Sequence, residues 1–306
     1  GFPYEISGKQ VSHAKSLAKD VFFGGKFDKA IRPLSWLVEK FWPIKGWTDA
    51  DLIAIGGHPV GETNVPLVGS SQLSVGCIYY TDNQIDEKVM KACQKQLWKS
   101  AIRDHKLPIV SVSLKPMDFG KNIVFEGERG YLAMTKQILT ALENLDTDIV
   151  FFCEHDDLYD KSHFDFIPKD KETWYYNSNY WMLRLPDGFA VQYNVSPLSG
   201  LCVYRETAIK HYKERLELME SMGDKLEMLR IGFEPFTHGR IDWKYKCKFE
   251  TFQSTIPVID ISHGSNVTHK RWSQDKFRRK PTFWKEVKDY AVPEWNNLKK
   301  LLDIRL

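Results

Sequence analysis

Three short apolar runs, separated by two longer amphipathic segments, constrain this chain more than any other feature. Leu73 to Tyr80, Pro108 to Leu114 and Asp148 to Cys153 are rich in β-branched and aromatic residues and too short for core helices. Apolar character that is continuous rather than alternating marks strands covered on both faces. The segments between them, about Gln84 to Asp104 and Tyr131 to Leu145, have helical spacing, with Val89, Ala92, Cys93 and Leu97 on one face of the first. Strand, helix, strand, helix, strand predicts a parallel sheet with helices on its faces. Ligands of such sheets sit beyond the carboxyl ends of the strands. Thr81-Asp82-Asn83 and Glu154-His155-Asp156-Asp157 both fall at such ends.

The remaining sequence is less regular. Residues 1–70 read as a helical N-terminal appendage and linker, and 71–306 as an α/β domain whose regular part is 71–160 and whose less regular part, 161–306, holds a basic C-terminal stretch. Residues 115–130 read as a polar loop with three glycines. Strands are expected at Ala190–Val195, Gly200–Tyr204 and Ile256–Ile261, with helices at about Glu206–Ser221 and Glu294–Leu302.

The four polar residues after Cys153 carry the strongest chemical signal. Acids bunched at the mouth of a buried strand repel one another unless a cation is present. Oxygen ligands suit Mg²⁺ or Mn²⁺, and a Mg²⁺ site takes one or two carboxylates together with substrate phosphates. Extended alternation would put Glu154 and Asp156 on one side, His155 and Asp157 on the other. The alternative is a strand-end turn in which Asp157 or Asp160 caps the next helix. A second candidate is His263, which ends an apolar strand, precedes Gly264 and suits a neutral imidazole ligand. The third lies in Gly232-Phe-Glu-Pro-Phe-Thr-His-Gly239, where Glu234 is a candidate general base and His238 and Asp187 are rivals. The second and third are equally readable as ordinary structural residues.

The net charge of +3 does not by itself establish a polyanionic partner, but the charge is uneven. Residues 268–290 hold eight Lys/Arg against three acids, fit for a diphosphate or a nucleic-acid backbone as well as for a solvated surface. Aromatics at 13% exceed what a core needs, and flat rings stack on sugars and bases. Five cysteines without a C-x-x-C pair read as reduced thiols in a cytoplasmic protein, with no apolar run of 18 residues and no leader. The two sequons, at Asn194 and Asn266, are short, common patterns. Phosphate-loop, dinucleotide, zincin and nucleophile-elbow motifs are all missing, which removes the usual support for kinase, dehydrogenase, metalloprotease and hydrolase functions.

Ile149-Val-Phe-Phe-Cys-Glu-His-Asp-Asp-Leu-Tyr159 resembles the segment of family-2-type glycosyltransferases in which an apolar strand ends in D-x-D-D, with Glu154 in the place of the first Asp. The resemblance covers roughly residues 73–210 and implies a three-layer, Rossmann-like GT-A α/β fold, with 71–306 as the catalytic domain, 71–160 its nucleotide-binding half and 161–306 its acceptor half. It implies a nucleotide-sugar donor, UDP-sugar by default, with Mn²⁺ or Mg²⁺ held at Asp156, and Asp157 and His263 as further ligands. Glu154 would lie by the ribose, and Tyr80, Thr81 and Asp82 by the base. Lys270 and Arg271 would hold the departing diphosphate, and Asp157 or Glu234 would serve catalysis. Residues 113–157 are also similar to glycosyltransferase-like proteins from phage and metagenomic sequences, which adds DNA carrying hydroxymethylated pyrimidines to saccharides as expected acceptors. The family's acid after the second strand and its A-R-N before the next helix are missing here. A nucleotidyltransferase and a non-catalytic carbohydrate- or DNA-binding protein are the rival classes.

Overall fold

The computed structural model describes residues 73–221, 247–264, 266 and 270–302. The expected appendage at 1–70, Glu234 and His238 lie outside the described residues.

The chain begins with β1 (Val75–Thr81), α1 (Glu87–Leu97) and a wider π turn (Trp98–Arg103), then β2 (Ile109–Ser113), β3 (Lys121–Val124) and α2 (Tyr131–Asn144). Next come β4 (Ile149–Glu154), β5 (Asp157–Leu158), a 3-10 turn (Lys161–His163), β6 (Thr173–Asn177), β7 (Tyr180–Arg184) and β8 (Ala190–Tyr193). β9 (Leu201–Tyr204), α3 (Arg205–Ser221), β10 (Lys248–Phe252), β11 (Val258–Ser262), β12 (Trp284–Val287) and α4 (Leu298–Leu301) follow.

Seven strands form the central sheet in the order β10-β6-β9-β4-β1-β2-β3. β1 pairs parallel with β2 and β4, β2 with β3, and β10 with β6, while β9 runs antiparallel to β4 and β6. The fold is therefore a mixed α/β structure with a mostly parallel central sheet. A smaller sheet, β12-β8-β7-β11-β5, is mostly antiparallel.

The pleat explains why the first strands are apolar throughout. Ile78, Tyr80, Val150 and Phe152 pack with Ile138 and Leu142 of α2 and with Ala208 and Tyr212 of α3. Their neighbours Cys77, Tyr79, Phe151 and Cys153 face the other way, against Leu97, Tyr159, Tyr180 and Val258. Three layers result, with the small sheet and α1 sharing one face. Asp86 starts α1 by accepting from the amides of Lys88 and Val89. Cys77, Cys93, Cys153 and Cys202 are buried free thiols.

Several sequence expectations need correction. The glycine-rich loop contains β3, which is half exposed at the edge of the sheet. The first helical segment is an α-helix that widens into a π turn. The terminal helix is confined to Leu298–Leu301. Nor does the chain alternate through 154–157: His155 and Asp156 form a turn, after which β5 pairs with β11. Asp160 does act as a cap, accepting from Ser162 N at the 3-10 turn.

His163 is wholly buried among the rings of Phe151, Tyr159, Phe164 and Phe252, and burial lowers its pKa from 6.5 to about 3. An unfolded histidine takes up a proton below about pH 6.5 that the folded one refuses, so this group costs stability as pH falls from 6.5 towards 3. Between pH 7 and pH 5 the loss is about 2 kcal/mol. Urea denaturation at the two pH values should show wild type losing more stability than His163→Gln by about that amount. Equal losses would contradict the burial of a neutral imidazole.

Candidate functional site

The carboxyl ends of β1 and β4 meet the start of β7, at Tyr180, and the middle of β11, at Asp260, around a cavity of about 190 Å³. Its wall includes Tyr80, Thr81 and Asp82 from the end of β1, Glu154, His155 and Asp156 after β4, and Asp260, Asn266 and Lys270 from the β11 side. Gly130 and Tyr131 at the start of α2, and Gln137 in its middle, face it from the helical layer.

Register places the acids. Tyr80 pairs with Glu154 across β1 and β4, and its hydroxyl donates to Glu154 Oε1 at 2.5 Å. Thr81 Oγ1 meets His155 Nδ1 at 2.5 Å, while Thr81 O accepts from Gln137 Nε2 at 2.9 Å. The turn at His155–Asp156 swings Asp156 inward, and Ile261 N binds Asp156 O at 2.8 Å. Asp157 then stands opposite Asp260 in the β5–β11 pair. His263 Nε2 lies 3.3 Å from Asp156 Oδ2, which also accepts from Asn266 Nδ2 at 2.8 Å. The Asn266 carboxamide oxygen in turn accepts from His263 N at 2.6 Å.

Two groups of prospective ligand atoms result, each within 4.8 Å: His155, Asp156 and His263, and Glu154, Asp156 and Asp157. Asp156 belongs to both. Burial works against its charge, but His155, the hydrogen bond with His263 and Lys270 hold its carboxyl below the usual range. Glu154 goes the other way, pushed up to about 8 by burial and then by the charge of Asp156. Burial, with Asp260 and Asp156, likewise raises Asp157 well above an ordinary carboxylate. Lys270 is buried in an ion pair with Asp260, and its pKa rises despite burial because Asp260 and Asp156 favour the ammonium. Asp260 nonetheless stays raised, burial outweighing its partner.

The residues fit a divalent cation. Asp157 Oδ2 and Asp260 Oδ1 are buried and accept no hydrogen bond among the described residues. The available donors are carboxylate oxygens and imidazole nitrogens, suited to Mn²⁺ and, through the oxygens, to Mg²⁺.

Tyr80, Thr81, Asp82, Glu154, Asp156 and Lys270 thus converge on one cavity, and His263 reaches it through Asp156. Asp157 stands behind the wall, where Tyr180 donates to its Oδ1 at 2.8 Å. Arg271 does not join the cavity; its guanidinium lies over the Phe277 ring at 4.8 Å. Asp187 is tied to Arg184 in an exposed turn and is no part of the wall. Sequence reasoning missed Arg129, which pairs with Asp82, and Asp260, Asn266 and Tyr180. An acid inside the apolar run Val258-Ile-Asp-Ile261 was the available signal for Asp260. Nothing comparable marked Tyr180.

The sequence matches no protein-family model and no curated protein. Solved structures similar to it include a glycosyltransferase involved in glycosylation of the major capsid of PBCV-1, at 8% identity over 61% of this chain and 92% of that one, with a TM-score of 0.36. S. aureus TarS is similar at 11% identity over 62% of this chain and 37% of that one, TM-score 0.35. The mannosyltransferase PcManGT from Pyrobaculum calidifontis, in complex with GDP-Man and Mn²⁺, is similar at 12% identity, over 82% of this chain and 66% of that one, TM-score 0.34. The chain spans less than two thirds of the second and third of these. What those proteins bind or modify is said of them alone.

The Lys270–Asp260 pair offers a direct test of the electrostatics. Removing one partner of a buried pair leaves the other uncompensated, at a cost of about 3–5 kcal/mol. Lys270→Ala should lose roughly that much in urea denaturation at pH 7, and adding Asp260→Ala should restore part of it. A single variant as stable as wild type would show that the lysine does not neutralise this cluster.

Proposed function

We propose that this protein is a metal-dependent glycosyltransferase that moves a sugar from a nucleotide-sugar, UDP-sugar by default, to an acceptor hydroxyl. The observation that carries the reading is the grouping of Glu154, Asp156 and Asp157 within 4.8 Å at the carboxyl end of β4, with Glu154 and Asp156 on the wall of a cavity that the end of β1 also lines. That is where a parallel sheet presents ligands.

Asp156 is the proposed principal metal ligand, with His263 and one of Glu154 and Asp157 beside it. A divalent cation bound there would neutralise the negative charge that gathers on the departing diphosphate. The chain's own residues do the rest. Asp82 and the Tyr80 and Thr81 side chains border the nucleoside part of the cavity, with Arg129 holding the Asp82 carboxylate. Tyr80 fixes Glu154 through its hydroxyl. Lys270 brings a permanent positive charge to the phosphate side, and Asp260 holds it in place. Arg271 takes no part in this donor site as described, because its guanidinium packs on Phe277. Glu234 is proposed as the base that deprotonates the acceptor hydroxyl, and the charge of Asp157 helps keep the cation in place. Among the described residues no helix is long and apolar enough to cross a membrane.

Donor binding to the folded state raises apparent stability by mass action. In a panel of UDP-, GDP- and other nucleotide sugars, one donor should raise the melting temperature only with Mn²⁺ or Mg²⁺ present. Asp156→Asn should remove that shift and metal-dependent sugar release while leaving the melting temperature of the free protein nearly unchanged. Turnover that persists in a folded Asp156→Asn protein would sink the metal assignment. Asp82→Ala should raise the donor KM more than it lowers kcat, the sign of lost ground-state binding. An effect confined to acceptor affinity would move the nucleoside pocket elsewhere.

A further inference from the structure

The segment 271–288 leaves the cavity wall immediately after Lys270 and ends in β12, which pairs antiparallel with β8. It carries seven basic residues, Arg271, Lys276, Arg278, Arg279, Lys280, Lys285 and Lys288, against two acids, Asp275 and Glu286. All seven are exposed. The whole chain has a net charge of only +3, so this strip concentrates positive charge on a protein otherwise slightly negative.

What sets the strip apart is the density of its charge. Elsewhere some exposed bases sit on acids, as in Lys91–Glu87, Arg103–Asp104 and Lys213–Glu143. Others, such as Lys88, Lys95 and Lys99, do not, but no other described stretch gathers so many bases against so few acids. Among the described residues none of the seven makes an ion pair. A strip that keeps its charges uncompensated beside a cavity has the chemistry of a polyanion site.

Aromatic rings alternate with these cations. Trp284 stacks on Tyr193 with centroids 5.5 Å apart and planes at 10°, and Phe277 meets both edge-on. Arg271 lies over Phe277, and Lys285 over Phe283, which is 37% exposed. The rings are largely packed against one another, and only Phe283 is exposed. That arrangement suits flat groups laid on a surface better than insertion into a lipid layer, which needs several protruding apolar side chains.

We infer that residues 271–288, together with Tyr193, form a docking surface for single-stranded or locally unpaired nucleic acid, whose phosphates meet the basic side chains while a base stacks on Phe283. Its meaning as an acceptor surface rests on the transferase reading above; the binding itself does not. A base in a duplex would have to be unstacked before a hydroxyl on it could reach the cavity.

The test is fluorescence anisotropy with three probes and no donor or metal: a 20-nucleotide oligothymidylate, an abasic strand with the same phosphates, and competing phosphatidylglycerol vesicles. Oligothymidylate should bind at 50 mM salt. With about five phosphates neutralised, the single-strand slope of roughly −0.7 per phosphate predicts about a 100-fold loss of affinity by 200 mM. The triple variant Arg278→Ala, Arg279→Ala, Lys280→Ala should reduce that slope by about 2. Phe283→Ala, at an exposed ring outside the core, should weaken oligothymidylate about tenfold and leave the abasic strand unaffected. No binding at 50 mM salt, equal affinity for the abasic strand, or capture by vesicles that oligothymidylate cannot displace would each overturn the proposal. Metal-dependent sugar release from the donor is measured separately, so failure of the transferase reading is distinguishable from failure of this one.

Discussion

Like charge crowded out of water is the constraint on which this structure turns. Glu154, Asp156, Asp157 and Asp260 gather where β4, β5 and β11 meet, and the compensating groups are Lys270, His155 and His263. The balance is incomplete, because Asp156 is held ionised while burial and its charge push Glu154, Asp157 and Asp260 upward. Such a cluster either keeps protons it would lose in water or takes up a cation. A core packer would have no use for it. The rest of the fold reads as support: buried strands on both sides, Asn266 and Ile261 N fixing the turn, and Tyr180 behind Asp157.

The sequence was most legible where burial was complete. β1, β2 and β4 are covered on both faces, so their apolar runs had no competing interpretation, and α2 and α3 carry one side of that cover. Edge strands were the blind spot. β3 and β10 lie at the two ends of the large sheet, largely polar or exposed, and β12 hides in the basic run at the end of the small one. With solvent on one side, little in their side chains distinguishes strand from loop. β6 and β7 are buried, but their tyrosines and tryptophans are separated only by Ser178 and Asn179, too short a break to mark two strands in the sequence.

The site was legible in proportion to its closeness to those strands. Tyr80, Thr81, Asp82, Glu154 and Asp156 sit at predicted strand ends, where topology brings them together whatever the turns do. Strict alternation failed one residue later, since a turn at His155–Asp156 lets Glu154, Asp156 and Asp157 approach one another. Partners arriving from distant segments could not be read at all. Arg129 on Asp82 and Asn266 on Asp156 depend on tertiary packing that no local pattern encodes. Adjacent residues also diverge: Lys270 turns into the cavity and Arg271 out onto Phe277, so one basic pair serves two surfaces.

The central claim is that the acid cluster binds a divalent cation which in turn completes the site for a nucleoside diphosphate. Mn²⁺ binding followed by electron paramagnetic resonance, with and without UDP or GDP, measures this coupling directly. The account predicts that the matching diphosphate tightens Mn²⁺ binding and that Mn²⁺ tightens the diphosphate by the same factor, as linkage requires. A protein that leaves the free Mn²⁺ signal undiminished, or that binds both diphosphates equally well with and without metal, would contradict it.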